Sequence, residues 1–218
     1  MSAKVLGRTN RQFPSVWLRL ITTPSASQDT WETLAEAAKA AQTPLDISAS
    51  PAFWGGLLRG DNGSELMQVS STDYERATSS AHASDLVQAH LLETLSAVGR
   101  DGIDFYFLRS RGRVEENRLS GALEALEMAR QEGHIKFLGL YAEGSEESTY
   151  SNWRLHDAFD VISLEGGSAT LRSLASERRV GVLERVQSID TPANSTSGAY
   201  LVPVGSAREV AEALEAAI

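Results

Sequence analysis

The sequence predicts an eight-stranded parallel α/β barrel, and three observations carry that prediction. Short apolar runs alternate with amphipathic helical stripes along the chain. There are eight such runs, the number that closes a (β/α)8 barrel. Most are continuously apolar rather than alternating, as strands covered on both faces should be. The 218 residues are read as one domain spanning 1–218, a usual size for such a barrel.

The strand candidates are SVWLRLI (15–21), PLDISA (44–49), ELMQVSS (65–71), IDFYFL (103–108), KFLGLY (136–141), FDVISL (159–164), VGVLERV (180–186) and YLVPV (200–204). Between them, Trp31, Leu34, Ala35 and Ala38 share one helical face behind the candidate caps Ser27 and Asp29. Val87, Leu91, Leu95 and Val98 form a second stripe, stopped by Gly99. Leu119, Leu123 and Leu126 form a third, closed by Gly133. Weaker helical patterns cover 145–157 and 168–178, and a last one covers 208–218. Ser206 and Glu209 make a capping box ahead of that last helix. The link SIDTPANSTSGA (188–199) has turn residues and no apolar stripe. The expectation is therefore a barrel whose helix between strands seven and eight is missing. That thin flank offers a place for a protein partner or a second copy.

Composition narrows the function classes. A formal net charge of −9 argues against nucleic acid or an anionic membrane as the main partner. The charge says little about small ligands, because a local basic patch can survive in an acidic protein. The chain has no cysteine, which removes disulfides, thiolate nucleophiles and thiolate metal sites. No apolar run reaches membrane-spanning length, and the polar start MSAKVLGRTNRQFP lacks a signal-peptide core, so the cytoplasm is the expected location. No histidine or carboxylate pair shows metal-ligand spacing at a strand end, so no metal is expected.

Several segments resemble one family in the right order. LGRTNRQFPSVWL (6–18) is similar to the opening of the aldo-keto reductases, where a hairpin precedes the first barrel strand. LLETLSAVGRDGIDFYFLRS (91–110) resembles the family's segment around its fourth strand, with Asp104 on the family's aspartate. EALEMARQEGHIKFLGL (124–140), FDVISLEGG (159–167) and LVPVGSAREV (201–210) resemble the fifth, sixth and eighth units. The resemblance implies a compact barrel of aldo-keto reductase type, and it implies NADPH-dependent carbonyl reduction. In that chemistry a tyrosine gives the proton, a lysine paired to an aspartate tunes it, and a histidine orients the carbonyl.

The matching positions depart from that pattern. Asp46 matches the aspartate at the end of strand two. Phe53 is nearest the tyrosine position, and the next tyrosine is Tyr74. The three lysines, Lys4, Lys39 and Lys136, all lie away from the end of strand three. Arg109 stands where the histidine should end strand four. In the cofactor cradle, the Ser-Asn pair becomes Tyr141-Ala142, the glutamine becomes Ser163, and the stacking aromatic becomes Glu184 or Arg185. Gly205, Ser206 and Arg208 remain in a shortened C-terminal segment, where they are the candidate cofactor-binding residues.

Each candidate carries two readings. Asp46 is an ordinary strand-end carboxylate, or one paired with an arginine. Arg109 and Arg185 are structural ion-pair partners, with Asp46 or Glu165 as counter-charge for Arg109, or they hold an anion. Ser206 is a helix cap, or with Arg208 and Gly205 it grips a phosphate. Phe53, Trp54 and Tyr141 pack in the core, or they line an aromatic pocket. Arg109, Arg111 and Arg113 form an anion patch, or a solvated loop with Glu115 and Glu116.

Two functions follow. The first is a catalytically degenerate reductase-like protein that binds a small, anionic ligand or a partner and needs no cofactor. The alternative is an NADP-dependent oxidoreductase with a rearranged site. In it Asp46, Tyr74 and Arg109 would be the catalytic residues, with Tyr74 as acid and Arg109 polarising the carbonyl.

Overall fold

The computed structural model describes residues 3–22, 26–188 and 198–216. Strands β1 (Ala3–Val5) and β2 (Gln12–Pro14) pair antiparallel as a hairpin ahead of the barrel. Eight parallel strands then close on themselves: β3 (Val16–Leu20), β4 (Leu45–Asp46), β5 (Leu66–Val69), β6 (Ile103–Ser110), β7 (Ile135–Ala142), β8 (Val161–Glu165), β9 (Gly181–Arg185) and β10 (Ala199–Val204). The closing pair is β10 with β3. Each strand falls on one of the apolar runs read from the sequence.

The described helices are α1 (Gln28–Ala40), α2 (Pro51–Leu57), α3 (Ser80–Val98), α4 (Glu116–Gln131), α5 (Glu146–Trp153), α6 (Ala169–Glu177) and α7 (Ala207–Glu215). Five of them start on a serine whose hydroxyl accepts a hydrogen bond from a first-turn amide: Ser27, Ser79, Ser145, Ser168 and Ser206. Each such cap is worth about 1 kcal/mol. Gly99 ends α3 in the left-handed region, at φ 66°, where a β-carbon would be strained. Helix α2 was not foreseen. Its seven residues give too few turns for a readable stripe, although Pro51 suits a first helical turn. Among the described residues no helix joins β9 to β10. The stretch 189–197, most of the link to which a partner was assigned, lies outside the described residues.

Two apolar cores result. The outer one fills the space between strands and helices and includes Leu18, Leu34, Trp54, Tyr74, Tyr106, Leu126 and Trp153. The inner one fills the barrel: Trp17, Met67, Val69, Phe105, Phe107, Tyr141, Val161, Leu183 and Leu201, with Phe137 packed against them. Phe107 takes its place because β7 has glycine opposite; a β-carbon on Gly139 would sit 2.3 Å from the Phe107 ring. The hairpin contributes Leu6 and Phe13 to this inner core. The Phe13 ring lies 5.2 Å from Phe105, 5.7 Å from Trp17 and 6.1 Å from Phe137, and so closes the end of the barrel where the strands begin. Arg8 holds the hairpin there by donating to the Phe159 carbonyl at 2.6 Å and pairing with Asp157 at 3.0 Å.

Candidate functional site

The opposite end of the barrel interior is polar, and strand periodicity explains how. Successive side chains alternate across a strand, so residues two apart share a face. Trp17, Phe107 and Leu183 point into the inner core. Two residues later on the same strands come Arg19, Arg109 and Arg185. Gly139 is followed in the same way by Tyr141, and Val161 by Ser163 and Glu165. Asp46 ends β4. The carboxyl ends of the strands therefore carry three guanidiniums and the carboxyls of Asp46 and Glu165 on the inward face, the end at which such barrels place their function.

Asp46 is buried, with 1% of its surface exposed. Its Oδ1 accepts from the Ser48 amide at 2.9 Å and the Ser48 hydroxyl at 2.5 Å. Ser48 is fixed in turn, accepting from the Val69 amide at 2.8 Å. Oδ2 lies 3.7 Å from Arg19 Nε, too far for a hydrogen bond, and neither atom has another partner. Burial pushes the Asp46 carboxyl above the ordinary carboxylate range, against the bonds from Ser48 and the charges of Arg19 and Arg109.

Arg185 is held firmly. One of its nitrogens donates to the Ser163 carbonyl at 2.9 Å and to the Ser163 hydroxyl at 3.1 Å, and the other donates to the Ala142 carbonyl. Its guanidinium carbon lies 4.1 Å from the centre of the Tyr141 ring, and Glu165 stands 3.9 Å away. Burial pushes this guanidinium below its ordinary value, while Tyr141 and Glu165 oppose the shift. Arg109 approaches the same ring at 5.6 Å. Its guanidinium is 3.6 Å from Glu143, and its Nε is buried with no hydrogen-bond partner. Burial raises the Tyr141 phenol, opposed by the nearby Arg185, Arg19 and Arg109.

The counter-charge of Arg109 is a correction. The ion-pair reading offers Asp46 or Glu165, and the structure pairs Arg109 with Glu143. Parallel pairing sets Arg109 opposite Tyr141, so the residue two beyond Tyr141 on the same chain reaches the guanidinium. Asp46 instead turns toward Ser48 and Arg19. Glu143 also takes Arg111 Nε at 2.5 Å. Burial would raise Glu143, but the Arg111 hydrogen bond and the charges of Arg109, Arg111 and Arg185 hold it below its ordinary value. Glu115, at the start of α4, pairs with Arg118 on that helix.

The remaining candidates are committed elsewhere. Tyr74 is buried in the outer core, and its hydroxyl donates to the Arg109 carbonyl at 2.7 Å. Burial, together with the Glu75 charge, pushes its phenol far up, which makes it a poor proton donor. Phe53 and Trp54 form an edge-to-face cluster with Trp31 beneath α1 and α2. Ser206 accepts from the Glu209 amide at 3.3 Å, and the Glu209 carboxylate accepts from the amide of Gly205, one residue before the cap, at 2.6 Å. Arg208 pairs with Glu212 on the surface. Glu184 pairs with Arg172 at 2.9 Å. The histidines sit away from this layer: His82 bonds Thr78, His90 bonds Tyr106, and His134 and His156 face Glu132 and Glu116. Lys136 bonds Asp104 at 2.5 Å. Among the described residues no cluster of three metal-ligating side chains occurs.

The structure thus brings together Asp46, Arg109, Tyr141, Ser163, Glu165 and Arg185. It adds two residues that sequence reasoning passed over, Arg19 and Glu143. Arg19 was visible as a lone charge in an apolar run, the same signal that marked Arg109.

Known proteins share this architecture. A protein from Pseudomonas aeruginosa, provisionally described as an aldo-keto reductase, superposes with a TM-score of 0.71 at 18% identity, over 98% of this chain and 95% of that one. An aldo-keto reductase from Bacillus halodurans, in its holo form, gives a TM-score of 0.77 at 14% identity, over 99% and 90%. Its apo form gives 0.74 at 13%, over 100% and 90%. No family model matches the sequence, and no curated protein does. The fold is the (β/α)8 barrel of the aldo-keto reductases, as the resemblance implied.

Proposed function

We propose that this protein is a reductase-type barrel without reductase chemistry, and that it binds a small anion in the arginine layer. The observation that carries this reading is the convergence of Arg19, Arg109 and Arg185 on one layer, with Arg185 buried and the Arg19 and Arg109 side chains still 38% and 23% exposed. An oxyanion arriving there would add acceptors to two guanidiniums whose carboxylate partners lie at 3.7 and 3.6 Å. The chain carries a net charge of −9, so the attraction would be local to this layer.

The residues present do not fit a nicotinamide cofactor. Arg185 lies along Tyr141 and bonds Ser163 and Ala142, which places a buried cation at the positions that cradle the nicotinamide in the family. Glu209 sits on the Gly205 amide at the helix end that would take the phosphate. The alternative of an NADP-dependent oxidoreductase rests on the shared fold. The hydroxyl it needs, on Tyr74, is tied to a backbone carbonyl. A cytoplasmic location accompanies the reading; among the described residues no helix is long and apolar enough to cross a membrane.

Calorimetric titration tests this. Inorganic phosphate or a small carboxylate is expected to bind saturably, and Arg109→Gln should weaken that binding at least tenfold. NADPH should show no saturable binding. Tight NADPH binding with none for small anions would reverse the choice of function.

A further inference from the structure

The end of the barrel that the hairpin closes carries a polar pocket of about 690 Å³. Its walls come from the hairpin turn, the link into β8 and the end of α6. The side chains along it are those of Arg8, Asn10, Asp157, Glu177, Arg178 and Arg179, so no apolar group lines it among the described residues. Arg8 is committed to Asp157 and to the backbone carbonyls of Asp157 and Phe159. Arg178 is committed to the carbonyls of Trp153, Arg154 and His156 at the end of α5. Asn10, Glu177 and Arg179 remain. Among the described residues, none of these three side chains has a hydrogen bond or an ion pair.

The backbone marks the same place. Among the described residues three that are not glycine adopt a left-handed conformation, and Asn10, at φ 54°, and Arg179, at φ 56°, are two of them. Arg179 ends α6 with the pattern by which Gly133 ends α4. Its own amide donates to the carbonyl three residues back, at Ser176, and the Val180 amide donates to Ala175. Gly133 and His134 do the same toward Arg130 and Ala129. Glycine suits that position because it has no β-carbon to crowd a left-handed backbone. An arginine there costs stability that glycine would keep, and the arginine borders the pocket. A free cation and a free carboxylate thus line one cleft without pairing with each other. A ligand carrying both charges would satisfy both, with a carboxylate on the guanidinium fork and an ammonium on Glu177. A simple anion would leave Glu177 unpaired and meet its charge.

We infer that this pocket binds a zwitterion, an amino acid with a polar side chain. Its carboxylate would lie on Arg179 and its ammonium on Glu177, leaving the Asn10 amide for the side chain. The site is separate from the arginine layer at the other end of the barrel and does not depend on it.

Calorimetric titration with glutamine and with glutaramate, which lacks only the α-ammonium, tests the assignment. Wild-type protein should bind glutamine saturably and at least tenfold more tightly than glutaramate. Glu177→Gln should erase that preference. Arg179→Gly should weaken glutamine binding at least tenfold while the melting temperature holds or rises, because glycine suits the left-handed backbone. Binding lost without loss of stability cannot come from misfolding. Arg109→Gln should leave glutamine binding unchanged. Equal affinity for the two probes, no saturable binding of glutamine, or a loss in Arg109→Gln that Arg179→Gly does not share would overturn the zwitterion pocket. None of these results bears on the arginine layer, which stands or falls by the phosphate titration.

Discussion

The two ends of the barrel interior are built from the same strands by opposite rules. Where the strands begin, Trp17, Phe105 and Phe137 interlock around Phe13, with ring centres 4.6–6.1 Å apart. One step along, Arg19, Arg109 and Arg185 replace the rings, and charged groups with an atom lacking a hydrogen bond appear. The closed end maximises burial, and among the described residues its unpaired polar atom is the neutral indole nitrogen of Trp17. Asp46, at the open end, keeps one oxygen unpaired. Two residues of strand thus separate a layer that stabilises the barrel from a layer that costs stability, and the second is where a ligand has something to gain.

The sharpest way to break that contrast is to exchange its members. Phe107→Ala should cost about 3–5 kcal/mol in urea unfolding, because a rigid ring against Gly139 leaves a cavity that cannot collapse. Arg109→Met, two residues further along, should change stability by less than about 1 kcal/mol, since it removes a half-buried cation whose Nε has no hydrogen bond, and Glu143 keeps Arg111. Titration of Arg109→Met with phosphate should nevertheless show at least a tenfold loss, about 1.4 kcal/mol of binding energy. A large stability loss in Arg109→Met would mean that the arginine layer is structural and would end the comparison.

Asp46→Asn sharpens it through pH. Burial raises the Asp46 carboxyl in the folded protein above its ordinary value of 3.8. Over the interval between those values the folded protein keeps a proton that the unfolded chain has released. The stability that this gives is full below 3.8 and is lost as pH rises through the folded value. Asparagine does not titrate, so the variant should gain on the wild type as pH rises above 3.8 and then hold a constant lead. Unfolding midpoints measured from acid to neutral pH check the trend; a lead that narrows with rising pH would contradict it. The smallest effect belongs to Tyr74→Phe. Loss of its bond to the Arg109 carbonyl should cost about 1 kcal/mol, with anion binding unchanged. Loss of a catalytic turnover in that variant would instead restore Tyr74 as an acid.

Much of the fold was legible in the sequence because a parallel barrel writes its strands as uninterrupted apolar runs. Serine caps and Gly99 then marked the helix ends. Helix α2 escaped because two turns cannot show a period. The site was legible one strand at a time. A lone arginine in an apolar run can be seen in IDFYFLRS, and equally in SVWLRLI. Which carboxylate meets which arginine depends on register across neighbouring strands, and that is a long-range property. Glu143 pairs with Arg109 because β7 lies beside β6 in a particular alignment, and no local pattern records it. The aromatic pocket suggested by Phe53 and Trp54 dissolved for a related reason: their partner Trp31 comes from a different helix.

The hairpin has a consequence for the residues that precede the barrel. Phe13 packs on Trp17, Phe105 and Phe137, so the segment ahead of the first barrel strand is itself part of the inner core. Removing that segment would bare rings that the strands alone leave uncovered.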